Sequence, residues 1–306
     1  MNPFTIHTLV HVFIVLLLPP LLLGVIIKTK AAFAGRTGAP LLQPYHDIFK
    51  LLRKGSVFSI TTTWIFRVSP VVGIATALLA SLLLPFGSHP APVSFTGDLI
   101  LFAYLFGLAR FFTVCAALDT GSAFEGMGGA REATFSCLAE PALFLGLLVL
   151  VKRSASLSLT TMLGAGLAEE WHGAAAPLLM VLVSFFIVLL ADNSRIPFDD
   201  PNTHLELTMI HEVMVLDHSG PAFGMILYGA ALKLFVLGAL VARLVLPFNV
   251  GNAWAAWGVF IAGMLLIAVL IGVVESVMAR LRLRQVPSLL VAACILSGFG
   301  IILLAR

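Results

Sequence analysis

Between Asp192 and Gly220 the chain reads DNSRIPFDDPNTHLELTMIHEVMVLDHSG, a stretch with six of its fifteen acidic residues and three of its eight histidines. Carboxylates and imidazoles accept and release protons, so this density points to proton handling or to charge-guided contact with a partner. Asp200 can cap a helix beginning at Pro201, and Gly220-Pro221 would end it. On that helix His204, Thr208, His211 and His218 share one side, and Leu205, Met209, Val213 and Leu216 another. Glu206 and Asp217 fall beside the apolar arc, where a merely solvated acid is not expected. The histidines invite a zinc reading. His211-Glu212 is followed by Val-Met-Val, however, so the metalloprotease pattern is absent. Pro197-Phe198-Asp199 predicts a rigid polar turn, which suits a partner-facing surface.

A second set of ionisable residues interrupts apolar runs, where each costs about 2.5–3.5 kcal/mol at a membrane-helix centre. Lys233 lies about 16 Å into its run and Glu140 about 10–12 Å into another, at ~1.5 Å per residue. Arg110 is inside a third run and Glu275 ends a fourth. Asp119, Arg131 and Glu132 stand at the mouths. Two readings are open: a static Lys233–Glu140 pair, or a file of proton-accepting groups running inward from the acidic stretch. A carboxylate in low dielectric has its pKa raised and a nearby lysine lowers it again. Such a group responds to a charge arriving nearby.

These residues need elements to hold them. The 306-residue chain is 60% hydrophobic and 11% charged, with mean hydropathy +1.06. A soluble domain carries about 25% charge, so the chain reads as an all-α polytopic integral membrane protein. Eight spans are expected, near 4–27, 68–86, 99–118, 133–151, 175–191, 222–246, 253–274 and 287–304. The first lacks a positive flank or cleavage site and reads as a retained span rather than a signal peptide. With the acidic stretch cytoplasmic, thirteen Lys and Arg flank that side against four on the other. This places both termini outside.

The first connection, 28–67, has seven basic residues against the single acid Asp47. Within it, 44–54 reads as a short amphipathic helix with Tyr45, Ile48, Phe49 and Leu52 on one side. Such a helix can lie in the membrane interface, binding lipid headgroups, or receive a soluble partner. The polar DTGSAFEGMGGARE reads as a glycine-rich turn, and 192–221 as an acidic cytoplasmic loop. Cys115, Cys137 and Cys294 sit singly in apolar runs, so they read as small core residues and any metal centre belongs to another chain. His7 and His11, four apart on the first span, read as helix-contact residues before metal ligands. The basic residues are scattered, with no nucleic-acid signature.

Several motifs taken together resemble a known family across essentially the whole chain. RIPFD (Arg195–Asp199), Pro201, Glu206-Leu207 and DHSG (Asp217–Gly220) resemble the long cytoplasmic loop of complex I subunit 1. They are more similar still to the homologous membrane subunit of formate hydrogenlyase, hydrogenase-4 and other membrane-bound nickel–iron hydrogenases. RTGAPLLQPYHDIFKLLRKGSV (Arg36–Val57), the Asp119–Pro141 stretch and MARLRL (Met278–Leu283) also look like the hydrogenase branch. Asn202 and His204 stand where the complex I loop has acids, and His218 where it has tyrosine, which weakens a quinone-chamber reading.

The resemblance implies a multi-pass subunit of the cell inner membrane that docks hydrogenase large and small subunits and couples their redox chemistry to proton or sodium movement. Antiporter-like membrane subunits would be neighbours. Nickel–iron and iron–sulfur centres would sit in the partners, with no cofactor and no catalytic residue in this chain. Arg36, Asp47, Lys50, Arg53 and Arg195 are the expected docking residues. Asp199, Glu206, Asp217, Glu140, Lys233, Asp119, Arg131, Glu132 and Glu275 are the expected coupling path. The alternatives are a quinone-site subunit of a complex I-like oxidoreductase and a stand-alone secondary transporter. The transporter reading lacks a clear internal repeat.

Overall fold

The computed structural model describes residues 3–164, 166–199, 209–246 and 251–304. Ten α-helices follow one another among these residues: α1 (Pro3–Phe33), α2 (Gln43–Leu52), α3 (Trp64–Leu83), α4 (Asp98–Asp119), α5 (Ala123–Ser154), α6 (Leu159–Met162), α7 (Leu167–Asp192), α8 (Gly220–Val245), α9 (Ala253–Val277) and α10 (Val286–Leu303). All but α2 and α6 are long and apolar enough to cross a membrane, which gives the eight spans expected. Residues Ala231 to Leu244 of α8 are nearly all buried, apart from partly exposed Lys233. A helix that is apolar all round belongs in the interior, and α8 packs against α1, α2, α3, α7 and α9.

The double proline of α1 is tolerated for a local reason. Pro19 and Pro20 carry no N–H, so the carbonyls four residues back lose their helical donors. The Tyr228 hydroxyl on α8 donates to the Leu16 carbonyl at 3.0 Å. In a bilayer no water would do this, so side chains must.

Two expectations are corrected. The glycine-rich DTGSAFEGMGGARE is not a turn, because α5 begins at Ala123 rather than near Ala133. Helix propensity disfavours each glycine by about 1 kcal/mol, but packing overrides it. A Cβ on Gly128 would run into Val213 and lie 3.0 Å from the Ile210 carbonyl, so the segment after Met209 crosses directly over this glycine face.

The loop helix expected over 201–219 is also absent in its described part, where only Glu212–Val215 forms a 3-10 turn. Gly220 opens α8 rather than closing the loop. Its φ is +54°, and the Gly55 carbonyl occupies the place a Cβ would need. The cap at Asp200 and the positions of Pro201, Asn202, His204, Leu205, Glu206, Leu207 and Thr208 lie outside the described residues.

α2 forms within the expected 44–54 segment, apart from its first residue, and lies on α8 where Gly224 leaves room for Leu51, at 3.1 Å from a would-be Cβ. Its apolar stripe is only partly covered: Phe49 stays 55% and Leu52 48% exposed. At the opposite end of the bundle, two buried charges clamp the short α6. Asp98 accepts the Leu159 amide at 2.7 Å and the Ser158 hydroxyl at 3.0 Å. Arg243 donates to the carbonyls of Leu163 at 2.6 Å and Gly164 at 3.0 Å. An anion at a helix start and a cation at its end match the unpaired backbone groups there. Asp98→Ala should therefore cost roughly 3 kcal/mol, read as a lower midpoint for unfolding in mixed detergent micelles at rising dodecyl sulfate.

His7 and His11 are packing residues in this end. His11 stacks on Phe86 at 3.9 Å and its Nε2 meets the Ser81 carbonyl at 3.0 Å. His7 stacks on His89 at 4.1 Å and accepts from Trp257 Nε1 at 3.3 Å.

Candidate functional site

Arg110, in the second half of α4 and 9% exposed, is the hub of a buried ion network. Its Nε donates to Glu132 at 3.1 Å, its Nη2 to Asp192 at 2.6 Å, and its Nη1 to Glu140. Lys233 on α8 donates to the backbone carbonyl of Asp192 at 2.7 Å and lies 3.2 Å from its carboxylate. The chain of contacts thus runs Lys233–Asp192–Arg110–Glu132/Glu140 across α8, α7, α4 and α5. The direct Lys233–Glu140 pair considered from sequence does not form. α5 packs on α4, α7 and α10, and α8 on α7, so Asp192 and Arg110 stand between the two residues. The Glu140 side chain is 44% exposed on the outer face of the bundle.

A second node lies toward the acidic loop. Glu275, with a fully buried side chain, is 2.8 Å from Lys30 and 3.4 Å from Arg195. Asp199, 1% exposed, pairs with Arg280 at 2.7 Å and accepts the Ile210 amide at 2.8 Å. The Pro197-Phe198-Asp199 turn is therefore not a partner-facing surface. Phe198 is 2% exposed, and the Leu281 amide donates to the Pro197 carbonyl at 2.9 Å. Phe198 is apolar enough to go inside, and Asp199 follows because Arg280 meets it there. Arg195, expected at the docking surface, points inward to Glu275.

The other expected residues divide. Arg36, Asp47, Lys50 and Arg53 are exposed, and Arg53 lies over the Phe49 ring at 4.1 Å. Asp119 binds the Thr63 amide at 2.6 Å and hydroxyl at 2.9 Å, fixing the start of α3. Arg131 donates to the Met209 carbonyl at 2.8 Å. Asp217 is exposed, and its amide donates to buried Glu125 at 3.0 Å. Glu206 lies outside the described residues.

A cavity of about 210 Å³ lies between these two nodes. Arg110, Lys233, Asp192, Asp199, Arg195 and His211 give it a polar side; Leu23, Phe106, Phe223 and Ile226 give it an apolar one. It has room and polar partners for several waters. Burial pushes His211 below its ordinary pKa, with Lys233 adding to the shift and Glu132 and Asp199 opposing it. Arg110, Asp192 and His211 were not among the expected site residues. Asp192 had one signal: it is the last residue of an apolar run, as Glu275 nearly is of another.

His218, at the cavity wall, stacks on Phe66 at 3.8 Å, and burial presses its pKa down to about 4. Between about pH 4 and the unfolded value of 6.5, the unfolded chain binds more protons than the folded one. The stability His218 contributes is therefore complete above pH 6.5 and is lost as the pH falls toward 4. A loss of up to roughly 2–3 kcal/mol is expected in that window. Unfolding midpoints measured across the window should fall less steeply in His218→Phe.

Among the described residues no group of three His, Cys, Asp or Glu side chains is placed to hold a metal ion. The three cysteines are free, and Cys294 donates to the Leu138 carbonyl at 3.3 Å.

The chain as a whole is similar to known proteins. A family model described as NADH dehydrogenase matches residues 6–305. The chain belongs to the NADH dehydrogenase family. Within reach of it, formate hydrogenlyase subunit 4 of Escherichia coli strain K12 is 32% identical over 313 residues, covering 98% of this chain and 97% of that one. Hydrogenase-4 component C of the same strain is 33% identical over 283 residues, covering 90% of this chain and 88% of the other. The fold is also that of a chain in the membrane-bound sulfane sulfur reductase, an archaeal respiratory membrane complex. That match has a TM-score of 0.80 at 20% identity, covering 98% of this chain and 99% of that one. By their names, formate hydrogenlyase subunit 4 and hydrogenase-4 component C are parts of larger assemblies, and this chain matches each over 90% or more of its own length.

Proposed function

We propose that the chain is the membrane-anchoring, ion-coupling subunit of a hydrogenase-type complex in the cell inner membrane. Its acidic-loop side would face the cytoplasm. The observation that carries this reading is the charge balance of the buried network. Three carboxylates (Asp192, Glu132, Glu140) meet two cations (Arg110, Lys233). Low dielectric disfavours the leftover negative charge around Asp192 and Glu132, and a proton shared over the network would offset it. A redox change in a soluble module docked over α2 would alter the potential at the loop node of Asp199, Arg280, Glu275 and Arg195. The shared proton would then move between Asp192 at the cavity and Glu140 at the outer face. From Glu140 an adjacent antiporter-like subunit would feel the change. Hydrogenase large and small subunits would dock through Arg36, Asp47, Lys50 and Arg53 with exposed Phe49, and would hold the nickel–iron and iron–sulfur centres.

The test is the proton-to-hydrogen ratio of the whole complex in liposomes. Glu140→Gln should keep hydrogen turnover in detergent and lower the ratio several-fold. An unchanged ratio would sink the proposal. The apolar side of the cavity favours a second reading, a quinone site. Block of turnover by a quinone-site inhibitor would support that one.

A further inference from the structure

Two buried polar atoms flank Asp217 with no hydrogen-bond partner among the described residues: Glu125 Oε2 and His218 Nδ1. Glu125, in the first turn of α5, is 1% exposed, and His218 is 7% exposed. Asp217 itself meets solvent. The other oxygen of Glu125 accepts the Asp217 amide at 3.0 Å, which fixes a buried carboxyl directly behind an exposed one. His218 is the next residue, held flat on Phe66, and its ring lines the cavity that reaches Arg110 and Lys233. Leaving a buried polar atom unpaired costs about 1–3 kcal/mol, and here it happens twice around one solvent-facing carboxylate.

We propose that Glu125 and His218 form the entry by which protons pass from the Asp217 surface into the cavity. The inference rests on the coupling reading above and adds where its network is loaded. A proton leaves hydronium or the Asp217 carboxyl and forms an O–H bond on Glu125 Oε2. That bond breaks as the proton moves, directly or through one bridging water, to Nδ1 of His218. The imidazolium so formed releases a proton into the cavity. With its pKa pressed down to about 4, the ring passes charge on rather than storing it. The titratable and charged groups that share the cavity lining with it are His211, Glu212, Glu132, Asp192, Asp199, Lys233, Arg110 and Arg195.

The experiment uses the whole complex with its partner subunits in liposomes, with a pH-sensitive dye inside. Glu125→Gln and His218→Phe are expected to slow proton translocation at least several-fold while leaving redox turnover in detergent unchanged. Added imidazole should restore the rate in His218→Gly, a rescue that a purely structural role would not give. Wild-type translocation by both variants would overturn the entry. Should a variant fail to assemble, infrared difference spectra of wild type and Glu125→Gln decide. The wild type should carry a protonated-carboxyl C=O band that the variant lacks, and its presence in both overturns the assignment. Lys233→Ala is the control: if it also pumps normally, the coupling reading itself fails. If only Lys233→Ala is uncoupled, the entry alone fails.

Discussion

Arg110→Leu is expected to destabilise the chain by roughly 3–5 kcal/mol, the cost of removing one partner from a buried ion network. The guanidinium meets Glu132, Asp192 and Glu140 at once. Without it three carboxylates share one lysine. They must take up protons or pull the helix ends apart to reach water. The measurement is the unfolding midpoint in mixed micelles together with the yield of assembled complex. Adding Glu132→Gln and Glu140→Gln to Arg110→Leu should recover most of the lost stability, because no uncompensated charge is then left behind. It should not recover coupling. A single variant as stable as wild type would show that the network does not hold the helices together.

Lys233→Ala should do the reverse, sparing the fold and removing function. Its side chain is 22% exposed at the cavity side, and Asp192 keeps Arg110 as a partner when it goes. Stability should therefore change by about 1 kcal/mol or less, as for a partly solvated pair. Proton translocation should fall on the order of 100-fold, the scale of losing one positioned proton-transfer group. Lys233→Arg keeps the charge but cannot give up its proton, so it should assemble normally and stay uncoupled. Normal translocation by Lys233→Arg would mean that Lys233 supplies charge alone.

Much of the fold was legible along the chain because hydrophobic length is a local property. Each span is an apolar run that water rejects, and its ends lie where polar residues resume. The exception at α5 has a local cause too: glycines that look like a turn in isolation are the residues that let Val213 and the Ile210 carbonyl come close. The loop after Asp199 misled for a related reason. Its helical periodicity over Met209–Leu216 is real, but Asp199 takes the Ile210 amide and the segment lies flat over α5. A one-turn helix is all that such tethering leaves.

The site was legible in part. Glu140, Lys233 and Glu275 announce themselves because an ionisable group in an apolar run is costly wherever its partner is. Asp192 did not, being one acid among six in its stretch. Arg110 was seen as buried but not as the hub, and the two unpartnered atoms at Glu125 and His218 leave no mark in sequence at all.

The sequence by itself determined that this is an eight-span helical membrane protein with costly charges at particular depths and one amphipathic surface helix. Composition and apolar length are enough for that, since each span must satisfy its own backbone in lipid. Only the tertiary structure decided which charge meets which. Pairing depends on how helices far apart in the chain lie side by side, and Asp192 reaches Lys233 and Arg110 only because α7 packs between α8 and the α4–α5 pair.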